Sequence, residues 1–64
     1  MVKYELRYEA WSPINTYWEH GGDFETDFGV AERRVAAMRS ATLGDGRPAY
    51  RNVRVYRITE ERVA

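Results

Sequence analysis

The first ten residues alternate between apolar and charged positions with a period of two. The two sets are Val2, Tyr4, Leu6, Tyr8 and Ala10 against Lys3, Glu5, Arg7 and Glu9. This alternation is typical of a β-strand with one buried face and one solvated face. We therefore predict a first strand over Val2–Ala10. The segment around Pro13 is expected to end it, because proline has no backbone N–H to donate.

The middle of the chain predicts a second strand with an interruption. The strand is expected within Thr16–His20 and is expected to resume at Phe24 and Glu25. Between the two parts, Gly21-Gly22-Asp23 favours a bulge or a tight turn.

After Asp27 the apolar period changes from two to 3.6. The apolar stripe consists of Phe28, Ala31, Val35, Met38 and Thr42. This spacing predicts an amphipathic helix over Asp27–Leu43, with Thr26 or Asp27 as its N-cap. Gly44 is expected to end it in the left-handed conformation, followed by a loop that contains Pro48.

Tyr50–Thr59 predicts the last strand. Val53 and Val55 fall on one face, with Arg51 and Arg57 in phase with them, and the other face holds Asn52, Arg54, Tyr56 and Ile58. The order is thus ββαβ. It predicts one α+β domain over residues 1–64, a three-stranded antiparallel sheet in the order 2-1-3 with one helix packed on one face.

The helix is expected to bury one face of the sheet and to leave the other uncovered. The expected core is Tyr4, Leu6, Tyr8, Phe28, Val35, Met38, Val53 and Val55. The uncovered face would show the charged side of the first strand beside Arg54, Tyr56 and Ile58. A chain of 64 residues without cysteine has only this small core for stability.

The net charge of zero conceals an asymmetry between the two halves. Residues 1–32 hold two basic and seven acidic side chains, whereas residues 33–64 hold eight arginines and three acids. Either the two halves pair within the molecule, or the basic final strand is available to an acidic partner. No apolar run approaches the roughly 20 residues of a membrane span, and the charged start does not resemble a signal peptide. We expect a cytoplasmic protein that does not enter a membrane.

Residues for catalysis are few. His20 is the one histidine. Asp23, Glu25 and Asp27 have the i, i+2, i+4 spacing of a calcium loop but lack its glycine and its terminal glutamate. We expect no enzyme activity, no cofactor and no metal site.

Two candidate binding surfaces compete. The first is aromatic and consists of Trp11, Tyr17 and Trp18 around the Pro13 turn; the alternative is that these rings close the end of the core. The second is the uncovered sheet face, where Arg54 and Tyr56 are similar to platforms that stack single-stranded nucleic acid. Glu5 and Glu9 on the same face weaken that second interpretation.

The residues Tyr4-x-Leu6-x-Tyr8, Phe24-Glu25-Thr26, Ala31-Glu32-Arg33 and Asn52-Val53-Arg54-Val55 occur in this order along the chain. This pattern resembles small uncharacterised ββαβ proteins of actinobacteria and their phages. The resemblance implies an accessory protein and carries no activity and no residue role with it.

The sequence therefore predicts a small non-enzymatic interaction module that binds and modulates a protein partner. Self-association as a homodimer is a second arrangement that the uncovered sheet face or an edge strand would allow. Binding of single-stranded nucleic acid through Arg54 and Tyr56 is the alternative function.

Overall fold

The computed structural model describes every residue from Met1 to Ala64. Its elements are β1 (Val2–Ser12), β2 (Tyr17–Glu25), α1 (Phe28–Ser40) and β3 (Tyr50–Thr59). The sheet has the order β2-β1-β3, and both pairings are antiparallel. The predicted α+β fold with ββαβ order is confirmed, and so are the bounds of the last strand.

The core is small and lies between α1 and one face of the sheet. Its buried residues are Leu6, Ala31, Val35 and Val53. Around them pack the half-buried side chains Tyr4, Tyr8, Met38, Tyr50 and Val55. Phe28 was predicted in the core, but its side chain is half exposed, because it lies at the start of the helix beside the ring of Tyr4.

The helix begins as predicted and ends earlier than predicted. Asp27 is the N-cap, and its carboxylate accepts a hydrogen bond from the Val30 amide at 3.0 Å. The helix ends at Ser40, three residues before Leu43, because the chain turns to extended backbone at Ala41. There Ala41 accepts a hydrogen bond from the amide of Ala49 at 3.0 Å.

Residues 41–49 form a short hairpin rather than a helix end. The amide of Leu43 donates to the carbonyl of Arg47 at 2.7 Å, and Thr42 bridges to Pro48. Gly46 has the left-handed conformation (φ 84°) that was predicted for Gly44. The glycine is therefore required by the tip of the hairpin and not by the helix cap.

The second strand is continuous, which corrects the predicted interruption at Gly21-Gly22-Asp23. Gly21 of β2 pairs with Tyr8 of β1. The Tyr8 ring fills the place of a Cβ at Gly21, with its hydroxyl 2.9 Å from that position. A ring that covers a strand glycine compensates for the missing side chain. The first strand is also longer than predicted, since it includes Trp11 and Ser12.

A β-bulge changes the face on which the start of β3 presents its side chains. Between the pairs Arg7–Arg54 and Glu9–Arg51, β3 has one residue more than β1. Asn52 lies in this bulge with a left-handed φ of 53°. Arg51 was predicted in phase with the valines, but the extra residue places it on the opposite face.

The molecule is elongated and thin, with extents of 50 × 23 × 13 Å. Its radius of gyration of 14.1 Å exceeds the roughly 11 Å of a compact domain of this length. Its accessible surface of 4884 Å² likewise exceeds the roughly 4250 Å² of an average monomer of this mass. One helix of 13 residues, about 20 Å long, covers part of one face of strands up to about 36 Å long.

The acidic and basic halves of the chain pair within the molecule. Arg34 on α1 contacts Asp23 and Glu25 on β2, each at 2.7 Å. Arg51 on β3 contacts Glu9 on β1 at 2.7 Å. These contacts support the intramolecular interpretation of the charge asymmetry, and they leave Arg54 and Arg57 without an acidic partner.

We expect Gly21→Ala to destabilise the protein by about 1–2 kcal/mol, because its methyl group displaces the Tyr8 ring from between Gly21 and Tyr50. Gly22→Ala is the matched control, since its nearest atom is the Leu6 carbonyl oxygen at 3.6 Å. Urea denaturation of both variants measures the difference. Equal stability of the two variants would show that the Tyr8 ring does not depend on Gly21.

We expect Leu6→Ala to cost about 2–4 kcal/mol, because Leu6 is fully buried at the centre of the core. That loss is comparable with the whole stability of a domain this small. Val2→Ala on the same side of the same strand is the control, because Val2 is exposed. A loss below about 1 kcal/mol for Leu6→Ala, measured by the same denaturation, would contradict the assigned core.

Candidate binding surface

The register of the three strands gathers one set of side chains on the sheet face opposite α1, which we call the open face. On β1 and β2 it consists of Lys3, Glu5, Arg7, Glu9, Trp11, Trp18, His20 and Phe24. On β3 it consists of Arg51, Asn52, Arg54, Tyr56 and Ile58. No element of the chain covers this face, although it holds four aromatic rings and four cations.

Cations lie against the aromatic rings of the open face. The guanidinium carbon of Arg7 is 4.3 Å from the ring centre of Tyr56. The Lys3 ammonium is 4.6 Å from the ring centre of Phe24. Such contacts are worth about 0.5–1 kcal/mol each at exposed sites. The rings are thereby partly shielded from water while Phe24 and Tyr56 stay 51% and 42% exposed.

Arg54 contacts both its own strand and Tyr56. Its Nε donates to the Tyr56 hydroxyl at 3.0 Å, and its Nη1 donates to the Asn52 carbonyl at 2.7 Å. These bonds fix the guanidinium beside the Tyr56 ring, with the guanidinium carbon 5.9 Å from the ring centre. Arg54 and Tyr56 therefore form one preorganised unit of the open face.

One end of the open face is a cleft between the two tryptophans and the 41–49 hairpin, which we call the tryptophan cleft. It has a volume of about 160 Å³ and is lined by Trp11, Trp18, Leu43, Arg47 and Pro48. The indole rings meet edge to face, with centres 5.5 Å apart. The amide of Trp11 donates to the Ala49 carbonyl at 3.0 Å, which holds the hairpin against the end of β1.

Glu9 accepts hydrogen bonds from two neighbouring side chains of the open face. Its Oε2 accepts from Arg51 Nε at 2.7 Å and from Asn52 Nδ2 at 2.6 Å. Mainly because of the Arg51 hydrogen bond, the pKa of Glu9 lies below its usual range. The carboxylate fixes Arg51 so that its guanidinium carbon stands 4.5 Å from the ring centre of Trp18.

The structure brings four of the five predicted binding residues onto one face. Trp11 and Trp18 lie at one end of the open face, and Arg54 and Tyr56 lie further along it on β3. The two candidate surfaces inferred from the sequence are therefore one surface. Tyr17 does not belong to it, because strand alternation points its side chain to the opposite side from Trp18.

Sequence reasoning missed the residues that complete this surface. Arg51 was missed because the bulge at Asn52 inverts the alternation of β3. Leu43, Arg47 and Pro48 lie on a hairpin whose sequence predicts a helix end followed by a loop. The left-handed preference of Asn, one residue after Arg51, was the available signal for the bulge.

Other features offer less chemistry. His20 is 87% exposed and lies 3.8 Å from Glu9. No three side chains of His, Asp or Glu are grouped so that they could hold a metal ion. A cleft of about 350 Å³ lies on the helix face between Tyr4, Phe28, Val55 and Arg57. The one helix, α1, is not long and apolar enough to cross a membrane.

Comparison with known proteins gives no relative from which a function could be carried over. No protein-family model, no curated protein and no solved structure matches this chain. The open face must therefore be interpreted from its own chemistry.

We expect the pKa of Glu9 to rise towards its usual range in Arg51→Gln, because that substitution removes the charged donor. Since a lowered pKa stabilises the fold above the unfolded value of about 4.3, this contribution is lost as the pH falls through the lowered value. Carboxyl-carbon NMR titration of Glu9 measures the change. Arg57→Gln, on the other side of β3, should leave it unaltered. An unchanged Glu9 pKa in Arg51→Gln would contradict the assigned contact.

Proposed function

We propose that the protein is a non-enzymatic module that binds a protein partner through its open face and thereby modulates that partner. The observation that supports this most is the set of four aromatic rings on a sheet face that no element of the chain covers. Trp, Tyr and Arg are the residue types that most often dominate binding energy at protein interfaces. As the sequence resemblance implies, we propose an accessory protein of a bacterium or phage that acts in the cytoplasm.

The shape of the molecule supports the same proposal. Four of 64 residues are buried, and the surface is about 600 Å² larger than that of an average monomer of this mass. A stable interface takes about 800 Å² from each partner. A partner on the open face would cover the side of the sheet that α1 leaves uncovered.

Nucleic acid is the second candidate, and the Arg54–Tyr56 unit favours it, since a base could stack beside an arginine there. Three features favour protein instead. The chain has no net charge, Glu5 and Glu9 lie among the open-face cations, and Arg7 already occupies the face of the Tyr56 ring. A nucleic-acid site would need an excess of cations to release counterions.

The test compares partner retention by matched variants on one strand. The immobilised protein is exposed to a lysate of the cells in which it is naturally expressed. We expect the double variant Arg54→Ala, Tyr56→Ala to lose the retained proteins, and Arg57→Ala, on the other side of β3, to keep them. Amide NMR spectra establish that both variants are folded. Retention that survives in the double variant would contradict the proposal.

Nuclease treatment and an oligonucleotide titration separate the two candidates. We expect retention to survive nuclease. We also expect a random single-stranded oligonucleotide to bind more weakly than micromolar at about 50 mM salt. Micromolar binding that falls steeply by about 200 mM salt and is lost in Arg54→Ala would establish the nucleic-acid function instead.

A further inference from the structure

We propose that the tryptophan cleft is the specific subsite of the open face, and that it takes an apolar side chain flanked by a carboxylate from an extended acidic segment of the partner. This inference rests on the proposed function, because it names what part of a protein partner the surface would recognise. It follows from the size of the cleft, from its lining and from the unused donors of two arginines.

The size of the cleft indicates a single side chain. Sites for small molecules and cofactors commonly have volumes of about 300–1000 Å³. The cleft has about 160 Å³ and is open on one side. It is therefore too small for most cofactors but has room for one apolar side chain that belongs to a larger partner.

Apart from Arg47, the lining of the cleft is apolar, and the backbone holds it in place. The amide of Leu43 donates to Arg47 and that of Trp11 donates to Ala49, and Pro48 lies opposite Thr42 in a β-bridge. Trp18 is packed edge to face against Trp11. A preformed apolar site loses little conformational entropy when it binds.

Arg47, which lines the cleft, and Arg51, which lies against the ring of Trp18, have unused hydrogen-bond donors. Arg47 uses its Nε to bind Asp45 at 2.6 Å, and Arg51 uses its Nε to bind Glu9 at 2.7 Å. The terminal nitrogens of both side chains have no hydrogen-bond partner in the structure. Because the carboxylates of Asp45 and Glu9 fix both guanidinium groups, these free donors are oriented in advance for an incoming carboxylate.

The stacking of the same arginines favours a peptide over a nucleobase. The guanidinium carbon of Arg51 is 4.5 Å from the ring centre of Trp18, and that of Arg47 is 5.7 Å from the ring centre of Trp11. A base that stacked on either of these ring faces would have to displace a guanidinium. A side chain that enters the cleft beside the rings leaves both arginines in place.

The test uses short synthetic peptides that differ in one property at a time. The first is Gly-Ser-Asp-Phe-Asp-Ser-Gly with blocked ends. The second replaces both Asp residues by Asn, and the third replaces Phe by Ala. The indole N–H signals of Trp11 and Trp18 report binding by NMR. We expect the first peptide to shift both signals and to bind at least about threefold more tightly than either of the others.

Arg47→Gln is the decisive variant, because Arg47 lies on the hairpin and its ion pair is with Asp45 of the same hairpin. We expect it to lower the affinity for the acidic peptide towards that for the neutral one. Arg51→Gln should do the same, and Arg57→Gln, outside the open face, should have no effect. The indole signals without peptide establish that the cleft is intact in each variant.

Three results would overturn the inference. The first is equal binding of the acidic and neutral peptides. The second is no shift of the indole signals at about 10 mM peptide, a concentration that reveals even millimolar affinity. The third is tighter binding of oligothymidine than of any peptide, measured on the same indole signals. If partner retention still depends on Arg54 and Tyr56 while the peptides fail, the proposed function stands and only the cleft is wrong. If the peptides fail and retention also does not depend on Arg54 and Tyr56, both are wrong.

Discussion

The packing of one short helix against a longer sheet is the constraint on which the rest of this structure depends. Leu6 of the central strand is completely buried in a cluster with Ala31 and Val35 of the helix. Ala31 is also fully buried, and Val53 adds the β3 side chain of this cluster. A helix of 13 residues has one apolar stripe and covers one face. The other face of the sheet has to remain in contact with water or with a partner.

The open face meets this constraint by pairing its rings with cations. Lys3 and Arg7 lie against Phe24 and Tyr56, and Arg51 lies against Trp18. Carboxylates hold the arginines in turn, as Glu9 does for Arg51. These contacts order the side chains of the open face and interrupt its apolar area with charged groups. The large rings can therefore lie on a surface that no other element covers. The same arrangement leaves terminal guanidinium nitrogens free.

Periodicity predicted the fold because each element has one dominant face. Alternation fixed β1, and the 3.6-residue spacing from Phe28 fixed the position of α1 and its cap at Asp27. Periodicity could not predict where that order changes. Gly21-Gly22 looked like a break because the sequence does not show the Tyr8 ring that covers Gly21.

The same limit applies to the candidate site. Residue type alone identified four members of the surface, Trp11, Trp18, Arg54 and Tyr56. That they lie on one face follows only from the register of the strands. Arg51 and Arg47 depend on a bulge and on a hairpin, each created by tertiary pairing of the backbone. Residue type therefore predicted the members of the surface, and backbone pairing decided its extent.

The position of β1 at the centre of the sheet bears on which strand separates first when the protein opens locally. β1 is bonded to a strand on each side, whereas β2 has one neighbour and is tied to the helix by the ion pairs of Arg34. We expect this edge strand, with its two consecutive glycines, to open before β1 and β3 separate, once the ion pairs of Arg34 are broken. Because β2 carries Trp18 and Phe24, a partner that binds the open face also stabilises the pairing of this strand with β1. Recognition would then appear in amide hydrogen exchange as slowed exchange along β2, including residues that no partner touches.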